Sequence, residues 1–380
     1  MEKAILLGSS FSALPILKNL KTLNLYVIVC GNNPNDVCVN LADEYLNVNY
    51  ANKENLYKEL KNKKFDYLIP SCNDLAYISG SYIAEKLSLP GYDSYKTANL
   101  IFKKNFYRKF LNKNNIRSPK LINLNHKLKY PFIIKPIDSF SGKGIFKINN
   151  AIEMQNTKID SILNSKRSKI VAEEYIKGTL HSHSAFIKKN KIIADFFVDE
   201  FCTTYKYQVN CSNYPSLISA RIKTDVRSEI SKIINLLNLK NGLFHTQFII
   251  KKNEIYIVES MRRCPGDLYP ELIIKSTNHN YWKYYISSFL GEDVKLKPRM
   301  NKIKNIGRHT ISSLDNFLMQ SIQIKPNNFK NIEYIPLKKV GDEIESAPND
   351  KAGILFVELK SKDKLKKIEK FSSQIKILYD

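Results

Sequence analysis

The segment that most constrains this chain is a strand, loop, strand unit at residues 130–148. An apolar run of strand type ends on Lys135, a loop of serine, glycine and lysine reaches Gly144, and a second apolar run ends at Ile148. Glycines let backbone N–H groups approach oxygen atoms closely, and lysines neutralise negative charge. The segment therefore predicts a flexible cationic loop between two strands that can lie over a polyphosphate.

Length and composition indicate a globular protein of two or three domains. The chain has 380 residues, of which 43% are hydrophobic and 11% aromatic. This is too long for one ordinary core and too apolar for a disordered chain. No uninterrupted apolar run is long enough to cross a bilayer. Residues 4–20 have the hydropathy of a signal peptide, but Gly8 breaks the run and no Ala-x-Ala site follows, so a strand, turn and helix explain them better.

The net charge of +24, from 60 lysines and arginines against 36 aspartates and glutamates, leaves nucleic-acid binding open as an alternative. The lysines are spread along the whole chain, with no basic block and no stripe of spaced aromatic residues. This positive charge is equally compatible with binding of an anionic small molecule. We therefore expect no nucleic-acid partner and no membrane partner.

The six cysteines have neither the paired spacing of a metal site nor the density of a disulfide framework. They indicate reduced, mostly structural thiols in a cytoplasmic protein. Cys264 falls beside a predicted site and is the one cysteine whose environment matters for function.

The first part of the chain alternates between strand and helix patterns. Strands are predicted at residues 3–8, 25–31 and 65–70, and helices around residues 14–20, 53–63 and 74–87. This alternation predicts a parallel, doubly wound sheet with right-handed crossovers. The predicted strands end near Gly8, Gly31 and residues 71–74, where open α/β sheets bind ligands.

The rest of the chain mixes strands and helices. A helix is predicted at about 96–114, another at about 150–163, and residues 169–200 are rich in strand signals. An amphipathic helix at 226–239 precedes a hairpin at 243–259 that turns around residues 251–253, and the tail has short strands and a final helix near 362–371.

Two oxygen donors lie on the adjacent strands of that hairpin. Gln247 is on one strand, Glu259 ends the next, and Arg262 and Arg263 follow at once. Such a pair of donors suits Mg²⁺, which takes few protein ligands together with substrate phosphates. A neighbouring guanidinium would stabilise the charge that develops in phosphoryl transfer. On spacing alone, a surface salt bridge at the end of a hairpin is the more common arrangement.

Other polar residues give weaker signals. Glu173 and Glu174 mark a strand-to-loop transition that could contact an adenine edge, although paired glutamates are usually solvated. His181 and His183 alternate with polar residues on a strand and so share one face, where they form a polar pocket wall or, less commonly, a metal site. His245 shares a face with Gln247, and the same alternatives apply to it.

Taken in order, these segments resemble the ATP-grasp superfamily, of the carboxylate–amine ligase type and with an ATP-binding domain like that of the carbamoyl-phosphate synthetase large chain. The resemblance covers about residues 1–300. It implies an α/β and α+β fold, in which an N-terminal doubly wound parallel sheet precedes a two-lobed ATP-grasp fold and a small C-terminal α+β segment. The implied domains are 1–92, 93–300 (nucleotide lobe about 115–180, metal and catalytic lobe about 181–300) and 301–380.

The resemblance also implies residue roles. Lys104, with Lys103 as the alternative register, and Lys135 would hold the ATP phosphates beneath the lid loop 139–144. The full set of implied nucleotide contacts is Lys104, Lys135, Ser141, Gly142, Gly144, Glu173, Glu174, Tyr175, Ile176 and His181. The implied ligands of Mg²⁺ or Mn²⁺ are Gln247 and Glu259, and the implied catalytic residues are Arg263, Arg262 and Lys143.

Three positions depart from the usual pattern of the family. Gln247 replaces the commoner glutamate, although the carbamoyl-phosphate synthetase branch has glutamine there. Met261 stands where many members have an asparagine ligand, and a thioether is a poor ligand for Mg²⁺. His181 replaces a ribose-binding glutamate. These changes favour an altered substrate or weaker catalysis.

The expected function is that of an ATP-dependent ligase, which activates a carboxylate as an acyl phosphate and joins it to an amine, releasing ADP and phosphate. The expected partners are small-molecule carboxylates and amines, with a homodimer left open. The N-terminal sheet and the loops around 205–223 would form the acceptor side, with Arg221 as a carboxylate contact. A nucleotide-binding regulatory protein without turnover and a nucleic-acid-binding protein are the two alternatives.

Overall fold

A computed structural model describes residues 1–137, 142–156, 170–293, 303–324, 329–361, 368 and 375–378 of the chain. Its helices are α1 (Leu14–Thr22), α2 (Lys53–Leu60), α3 (Asp74–Leu87), α4 (Tyr95–Phe102), α5 (Lys104–Lys113), α6 (Ala151–Asn156), α7 (Ala220–Leu237), α8 (Tyr269–Thr277) and α9 (Tyr281–Phe289). None of the helices in these described ranges combines the length and the apolar character that crossing a bilayer requires.

The strands within the same ranges are β1 (Lys3–Leu7), β2 (Tyr26–Gly31), β3 (Glu44–Asn47), β4 (Tyr67–Pro70), β5 (Phe132–Pro136), β6 (Phe146–Ile148), β7 (Ile170–Glu174), β8 (Thr179–Lys188), β9 (Lys191–Phe201), β10 (Cys211–Tyr214), β11 (Gly242–Lys251), β12 (Glu254–Met261), β13 (Ile306–Ile311), β14 (Phe317–Leu318), β15 (Ser321–Ile324), β16 (Phe329–Pro336), β17 (Glu343–Ile344), β18 (Gly353–Leu359) and β19 (Ile375–Leu378). The predicted helix at 362–371 lies outside the described residues, apart from residue 368.

The N-terminal sheet is parallel and has the strand order β3-β2-β1-β4. Apart from their first residues, β1 and β2 are fully buried, as expected for central strands covered by helices on both faces. This confirms the predicted doubly wound sheet. The sequence does not predict β3, because this short edge strand is only half-buried and has no apolar run.

The carboxyl edge of this sheet leads directly into a helix. After β4, the side chain of Asn73 accepts a hydrogen bond from the backbone N–H of Leu75 and so caps α3. Asp74 therefore lies in the first turn of α3, at the edge of the sheet where the strands end. This position brings its carboxylate to the candidate site described below.

Residues 95–113 form two helices, where the sequence predicts one. Lys103 is extended between α4 and α5, with φ −76° and ψ 109°, although no proline or glycine marks the break. Lys104 consequently occupies the first position of α5, and its backbone N–H donates to the carbonyl of Ile137 at 3.3 Å. The positive end of a helix dipole favours an anion at this place.

A small antiparallel sheet has the order β6-β5-β7. Phe132 and Ile134 point to one face and pack into a small core with Ala172. Because side chains alternate along a strand, Lys135 and Glu173 share the opposite face. That face is turned toward α5 and the large sheet.

The large sheet has eight strands in the order β12-β11-β8-β9-β10-β13-β18-β16. Pairing in register places Glu259, Gln247, Glu200, Ser212 and Arg308 on one side of it, which we call the site face. The other side, the helical face, is covered by α7 through a stripe of isoleucine and valine. The site face therefore carries a row of polar side chains, and the helical face packs against α7 through apolar side chains.

The C-terminal segment is continuous with this sheet. β13 pairs with β10 on one side and with β18 on the other, and β16 follows at the edge. The predicted boundary at residue 300 therefore falls inside one hydrogen-bonded sheet. The division into 1–92, 93–300 and 301–380 stays a prediction.

A β-bulge shapes the hairpin of β11 and β12. Gln247 pairs with Glu259, but the next residue, Phe248, pairs with Ile257, so Val258 has no partner across the hairpin. A bulge changes which face the following side chains point to. Here it places Glu259 beside Gln247 on the site face while Ile257 stays in the core of the helical face.

A buried ion pair fixes the junction between the first domain and the large sheet. Arg262 Nε donates to Asp93 Oδ2 at 2.6 Å, and the Tyr77 hydroxyl donates to the same oxygen at 2.9 Å. Lys240 N–H donates to the other oxygen of Asp93 at 2.8 Å. Because the guanidinium and the carboxylate are both shut off from water, each depends on the other for compensation.

Substituting Asp93→Asn should therefore destabilise the protein by about 3–5 kcal/mol, since it leaves the Arg262 guanidinium buried without a counter-charge. Urea unfolding of the purified variant measures this. The control is Asp225→Asn, which breaks the exposed 4.0 Å pair with Arg221 and should cost less than about 0.5 kcal/mol. Equal costs for the two variants would contradict the assignment.

Candidate active site

The site begins with a buried chain of charges between α5 and the small sheet. Glu173 Oε2 lies 2.7 Å from Lys135 Nζ, and its carboxylate also accepts from Arg108 Nε at 3.1 Å and from Arg108 Nη2 at 3.3 Å. The Glu173 and Arg108 residues are only 3% and 2% exposed. One carboxylate thus holds two cations, which leaves a net positive charge on this side of the cleft.

The charges around Glu173 determine its protonation. Burial raises the pKa of the carboxyl, but the Arg108 and Lys135 charges and their hydrogen bonds more than offset this, so the pKa lies below its usual value. Glu173 is consequently an anion near neutral pH. Its two cations stay in place without any bound nucleotide.

Arg108 also reaches the large sheet. Its Nη1 donates to the carbonyl of Ile257 at 2.5 Å, and its Nη2 donates to the carbonyl of Val258 at 2.6 Å. These are the carbonyls at the bulge that turns Glu259 to the site face. The same guanidinium therefore positions both Lys135, through Glu173, and Glu259, through the bulge.

Lys104 completes a group of cations. Burial lowers its pKa, and the nearby Glu259 carboxylate opposes this, while Lys135 is close enough to lower it further. The charges of Lys104, Lys135 and Glu259 therefore lie close enough to interact. In the alternative register, Lys103 Nζ lies instead over the ring of the exposed Phe106, at 5.6 Å. The geometry thus favours Lys104 of the two.

The two predicted metal ligands are brought together. Gln247 and Glu259 face each other across the hairpin on the site face, and Gln247 Nε2 donates to Glu200 Oε2 at 2.6 Å. Carboxylate and amide oxygens beside two lysines are a donor set that suits Mg²⁺ carrying phosphates. In the described part of the chain, no three His, Cys, Asp or Glu side chains cluster as a self-sufficient metal site, so substrate oxygens would have to supply the remaining ligands.

The glycine loop packs against the large lobe where it is described. Gly142 has φ +73°, and a Cβ there would lie 2.6 Å from the carbonyl oxygen of Tyr207. Only glycine allows this approach without strain. Gly144 also has positive φ, and Lys143 is half-buried between the two. Ser141 lies outside the described residues.

The predicted hinge joins β7 to β8. Glu174 N–H donates to the carbonyl of Lys120 at 2.9 Å, Ile176 is buried, and the ring of Tyr175 has Lys147 Nζ at 4.4 Å from its centroid. The backbone after Glu174 leaves the sheet here. The adenine contacts expected of this segment stay a proposal.

One predicted nucleotide contact needs correction, and another has partners within the protein. The Glu173 carboxylate is paired with Arg108 and Lys135, and its contact with adenine stays a prediction. His181 is opposite Phe248 and Asp199 in the sheet, and therefore lies on the helical face. A shift of one residue along a strand reverses the face. Leu180, opposite Glu200, is the residue that reaches the site face.

His181 instead belongs to a local polar network. Its Nδ1 is 2.9 Å from Asp199 Oδ1, and its Nε2 is 2.8 Å from Thr179 Oγ1. Its ring also stacks on Phe248, with centroids 5.6 Å apart. These contacts explain a histidine here without any ribose.

The predicted arginines fall in three different environments. The Arg262 guanidinium is buried, pairs with Asp93 and donates to backbone carbonyls of Lys240 and Leu243. It is therefore a structural residue and not a catalytic one. Arg263 donates to both oxygens of Asp74, at 2.9 and 2.7 Å, and its charge lies close to Glu259. Arg221 has an 81% exposed side chain on α7, which covers the helical face, so it is not on the acceptor side.

Cys264 follows Arg263 and is completely buried. Burial raises the pKa of its thiol well above the ordinary value. A buried neutral thiol is a poor nucleophile. The cysteine beside the site is therefore structural, and all six thiols in the chain are free, as expected.

Sequence reasoning missed two residues of the site. Arg108 interrupts the buried stripe of α5 between Tyr107 and Leu111, and an arginine in such a stripe requires a carboxylate partner. Glu200 continues the alternation of Phe196 and Val198 on β9, so it points inward like them. Both signals are visible in the sequence, but neither identifies the partner.

Comparisons with known proteins identify the family of this chain. A family model of the ATP-grasp domain matches residues 128–270. The uncharacterized protein MJ0776 of Methanocaldococcus jannaschii is 30% identical over 330 residues, which are 80% of this chain and 78% of that protein. Formate-dependent phosphoribosylglycinamide formyltransferase of Prochlorococcus marinus subsp. pastoris is 25% identical over 319 residues, 80% of each chain.

The fold also matches a solved structure along its whole length. The L-amino acid ligase from Bacillus licheniformis superposes with a TM-score of 0.82 at 16% identity, covering 100% of this chain and 99% of that chain. The fold and the matching family model together define a protein built on an ATP-grasp domain. The chain belongs to the ATP-grasp family, which confirms the family predicted from the sequence.

Substituting Glu173→Gln should destabilise the protein by about 3–5 kcal/mol near neutral pH, because it leaves the buried charges of Arg108 and Lys135 without a counter-charge. The pKa of Glu173 lies below its ordinary value of 4.5. Its stabilisation is therefore complete above that value and is lost as the pH falls through the lower, folded-state pKa. The difference between wild type and variant should shrink in acid.

Urea unfolding at several pH values measures this difference. The control is Glu174→Gln, the neighbouring half-exposed glutamate, which should change the free energy of unfolding by less than about 0.5 kcal/mol. A Glu173→Gln cost that stays below 1 kcal/mol or so, or that grows as the pH falls, would refute the ion chain.

Proposed function

We propose that this protein activates a small carboxylate with ATP and joins it to an amine. The observation that carries the proposal is the convergence of Lys104, Lys135 and Glu259 from three separate elements of the fold. Two cations and one carboxylate in a cleft suit a Mg²⁺-bound triphosphate, since the lysines neutralise phosphate oxygens and the carboxylate binds the ion.

Each residue of the site has a part in this proposal. Lys104 and Lys135 hold the phosphates, and Gly142, Lys143 and Gly144 close over them from the small sheet, with Ser141 in the same loop. Glu174, Tyr175 and Ile176 line the adenine side through their backbone. Gln247 and Glu259 would hold Mg²⁺, and the ion would supply positive charge to the phosphate oxygens.

The chemistry needs no nucleophile from the protein. The carboxylate of the substrate attacks the γ-phosphorus of ATP, which forms an acyl phosphate and releases ADP. The amine then attacks the acyl carbon and phosphate leaves. The protein contributes alignment of the reactants and stabilisation of charge. Arg263 would stabilise the negative charge of the acyl phosphate, because its guanidinium interacts with Glu259 and is oriented by Asp74.

The acceptor side lies at the carboxyl edge of the N-terminal sheet. Arg263 is bound there by Asp74, the first residue of α3, so the metal-binding hairpin and the end of β4 meet at this place. Open parallel sheets bind ligands at this edge. We infer that the amine enters here, in a cytoplasmic protein that works on small molecules, as a monomer or as a homodimer.

A second candidate is an ATP-binding protein without ligase turnover. Met261 supports it, because its facing partner in the sheet is His245, which places the thioether on the site face near Glu259. A thioether there does not replace an oxygen ligand of Mg²⁺. The two candidates differ in whether ADP is released.

The test is a screen of amino acids, sugar acids and small amines for stimulated release of ADP from Mg·ATP. With an active pair of substrates, Glu259→Gln should lower turnover at least about 100-fold, because one carboxylate of the metal site is lost. Its effect on the free energy of unfolding should be small. Measuring ADP release and urea unfolding on the same sample separates the loss of turnover from a loss of stability.

The matched control is Glu254→Gln, at the start of the same strand and half-exposed. It should keep full turnover. Full ADP release by Glu259→Gln would overturn the metal assignment, and Mg·ATP binding without ADP release in any mixture would favour the regulatory candidate.

A further inference from the structure

Glu200 is a buried acid in direct contact with one of the two proposed metal ligands. Its Oε2 accepts a hydrogen bond from Gln247 Nε2 at 2.6 Å, and the residue is only 4% exposed. The two side chains come from β9 and β11, which are separated by β8 in the sheet. They meet because the residue of β8 that lies opposite Gln247 is the small Ser182. A long side chain at that position would block the contact.

The enclosure of Glu200 keeps it from touching a substrate. Tyr269 covers this part of the site face, where its hydroxyl lies 3.0 Å from Ser182 Oγ, and both residues are buried. Gln247, by contrast, is half-buried and lies beside Glu259. Any effect of Glu200 on a bound ligand must therefore pass through Gln247 or through the negative charge that Glu200 carries.

The hydrogen bond to Glu200 fixes the orientation of the Gln247 amide. A carboxylate only accepts hydrogen bonds, so the amide must turn its N–H group toward Glu200. Because the nitrogen and the oxygen lie on opposite sides of the amide carbon, Oε1 then faces away from Glu200. Within the described ranges of the chain, Oε1 accepts no hydrogen bond from the protein. An amide oxygen that is held in one direction and kept available is preorganised as a ligand for Mg²⁺.

Glu200 also adds negative charge close to the proposed metal ligands. Its carboxylate lies near enough to Glu259 and Arg308 for their charges to interact, and the Arg308 cation offsets part of the cost of burying it. Gln247 itself is neutral. A glutamate at position 247 would put two carboxylates in contact, which is unfavourable. The amide on β11 and the buried acid on β9 are therefore complementary to each other.

We propose that Glu200 is a positioning residue of the metal site. It holds the Gln247 amide with its oxygen toward the ion, and it supplies from the neighbouring strand the negative charge that a glutamine lacks. This inference rests on the proposed function, because it requires Gln247 and Glu259 to bind the Mg²⁺ that accompanies ATP. It also explains how a neutral amide serves at position 247.

The experiment measures how strongly Mg²⁺ promotes nucleotide binding. Isothermal titration calorimetry gives the affinity for the non-hydrolysable ATP analogue AMP-PNP in Mg²⁺ and in EDTA, and the ratio of the two affinities is the Mg²⁺ enhancement. Glu200→Gln should reduce this enhancement about 10- to 100-fold, as is usual when a residue that orients a metal ligand is lost. A glutamine at this position carries both a donor and an acceptor, so it no longer dictates the orientation of the Gln247 amide.

Adding Gln247→Glu to Glu200→Gln should restore the Mg²⁺ enhancement, because the carboxylate then lies on β11 and the amide on β9 donates to it. The matched control is Asp199→Asn, which changes the adjacent buried acid of β9 on the helical face. It should lower the melting temperature but keep the full enhancement. If Glu200→Gln fails to fold, the double variant decides the question, since it should fold and show the enhancement of the wild type.

Failure of this inference can be told apart from failure of the proposed function by measuring Glu259→Gln in the same way. If the wild type shows no Mg²⁺ enhancement, or if Glu259→Gln keeps it, the metal site is wrong and the inference falls with it. If Glu259→Gln loses the enhancement while Glu200→Gln keeps it, only the role of Glu200 is wrong. A double variant that stays as weak as Glu200→Gln would also overturn that role.

Discussion

The structure of this site depends on the buried contact between Glu173 and Arg108. The carboxylate holds Lys135 on the small sheet, and the guanidinium reaches past it to the carbonyls of Ile257 and Val258. Because those carbonyls belong to the bulge that turns Glu259 to the site face, one ion pair sets the positions of Lys135 and Glu259, the residues proposed to bind phosphate and metal. A buried ion pair is weak evidence for stability, and we propose that this one is retained because it fixes the geometry of the site.

This arrangement also gives the cleft an excess of positive charge, which would attract a polyanion before one is bound. Glu173 neutralises only one of its two cations, and Lys104 adds another at the positive end of α5. The excess charge is partly buried, where it is screened less than at the surface. Binding of a triphosphate would therefore complete the electrostatics of the site.

Sequence patterns predicted the parts of the structure that follow local rules. Alternating strands and helices predicted the parallel N-terminal sheet, and the hairpin pattern placed Gln247 and Glu259 on adjacent strands. The bulge that sets Glu259 opposite Gln247 was not predicted. Features that depend on tertiary contacts or on strand register were not predicted. The break at Lys103 has no proline or glycine to mark it, and the face of His181 depends on strand register. The environments of Arg262 and Glu173 depend on partners that are distant in the sequence. Side-chain type identified the candidate site residues, but only tertiary contacts show which of them lie at the site.

The most direct measurement is the affinity of Lys135→Met for Mg·AMP-PNP by isothermal titration calorimetry, beside Lys232→Met, a control that removes an exposed lysine from α7. If a triphosphate lies between Lys104, Lys135 and Glu259, the Lys135 variant should bind about 10- to 100-fold more weakly while the control is unchanged. Equal affinity of the Lys135 variant and the wild type, with both proteins folded, would contradict the account.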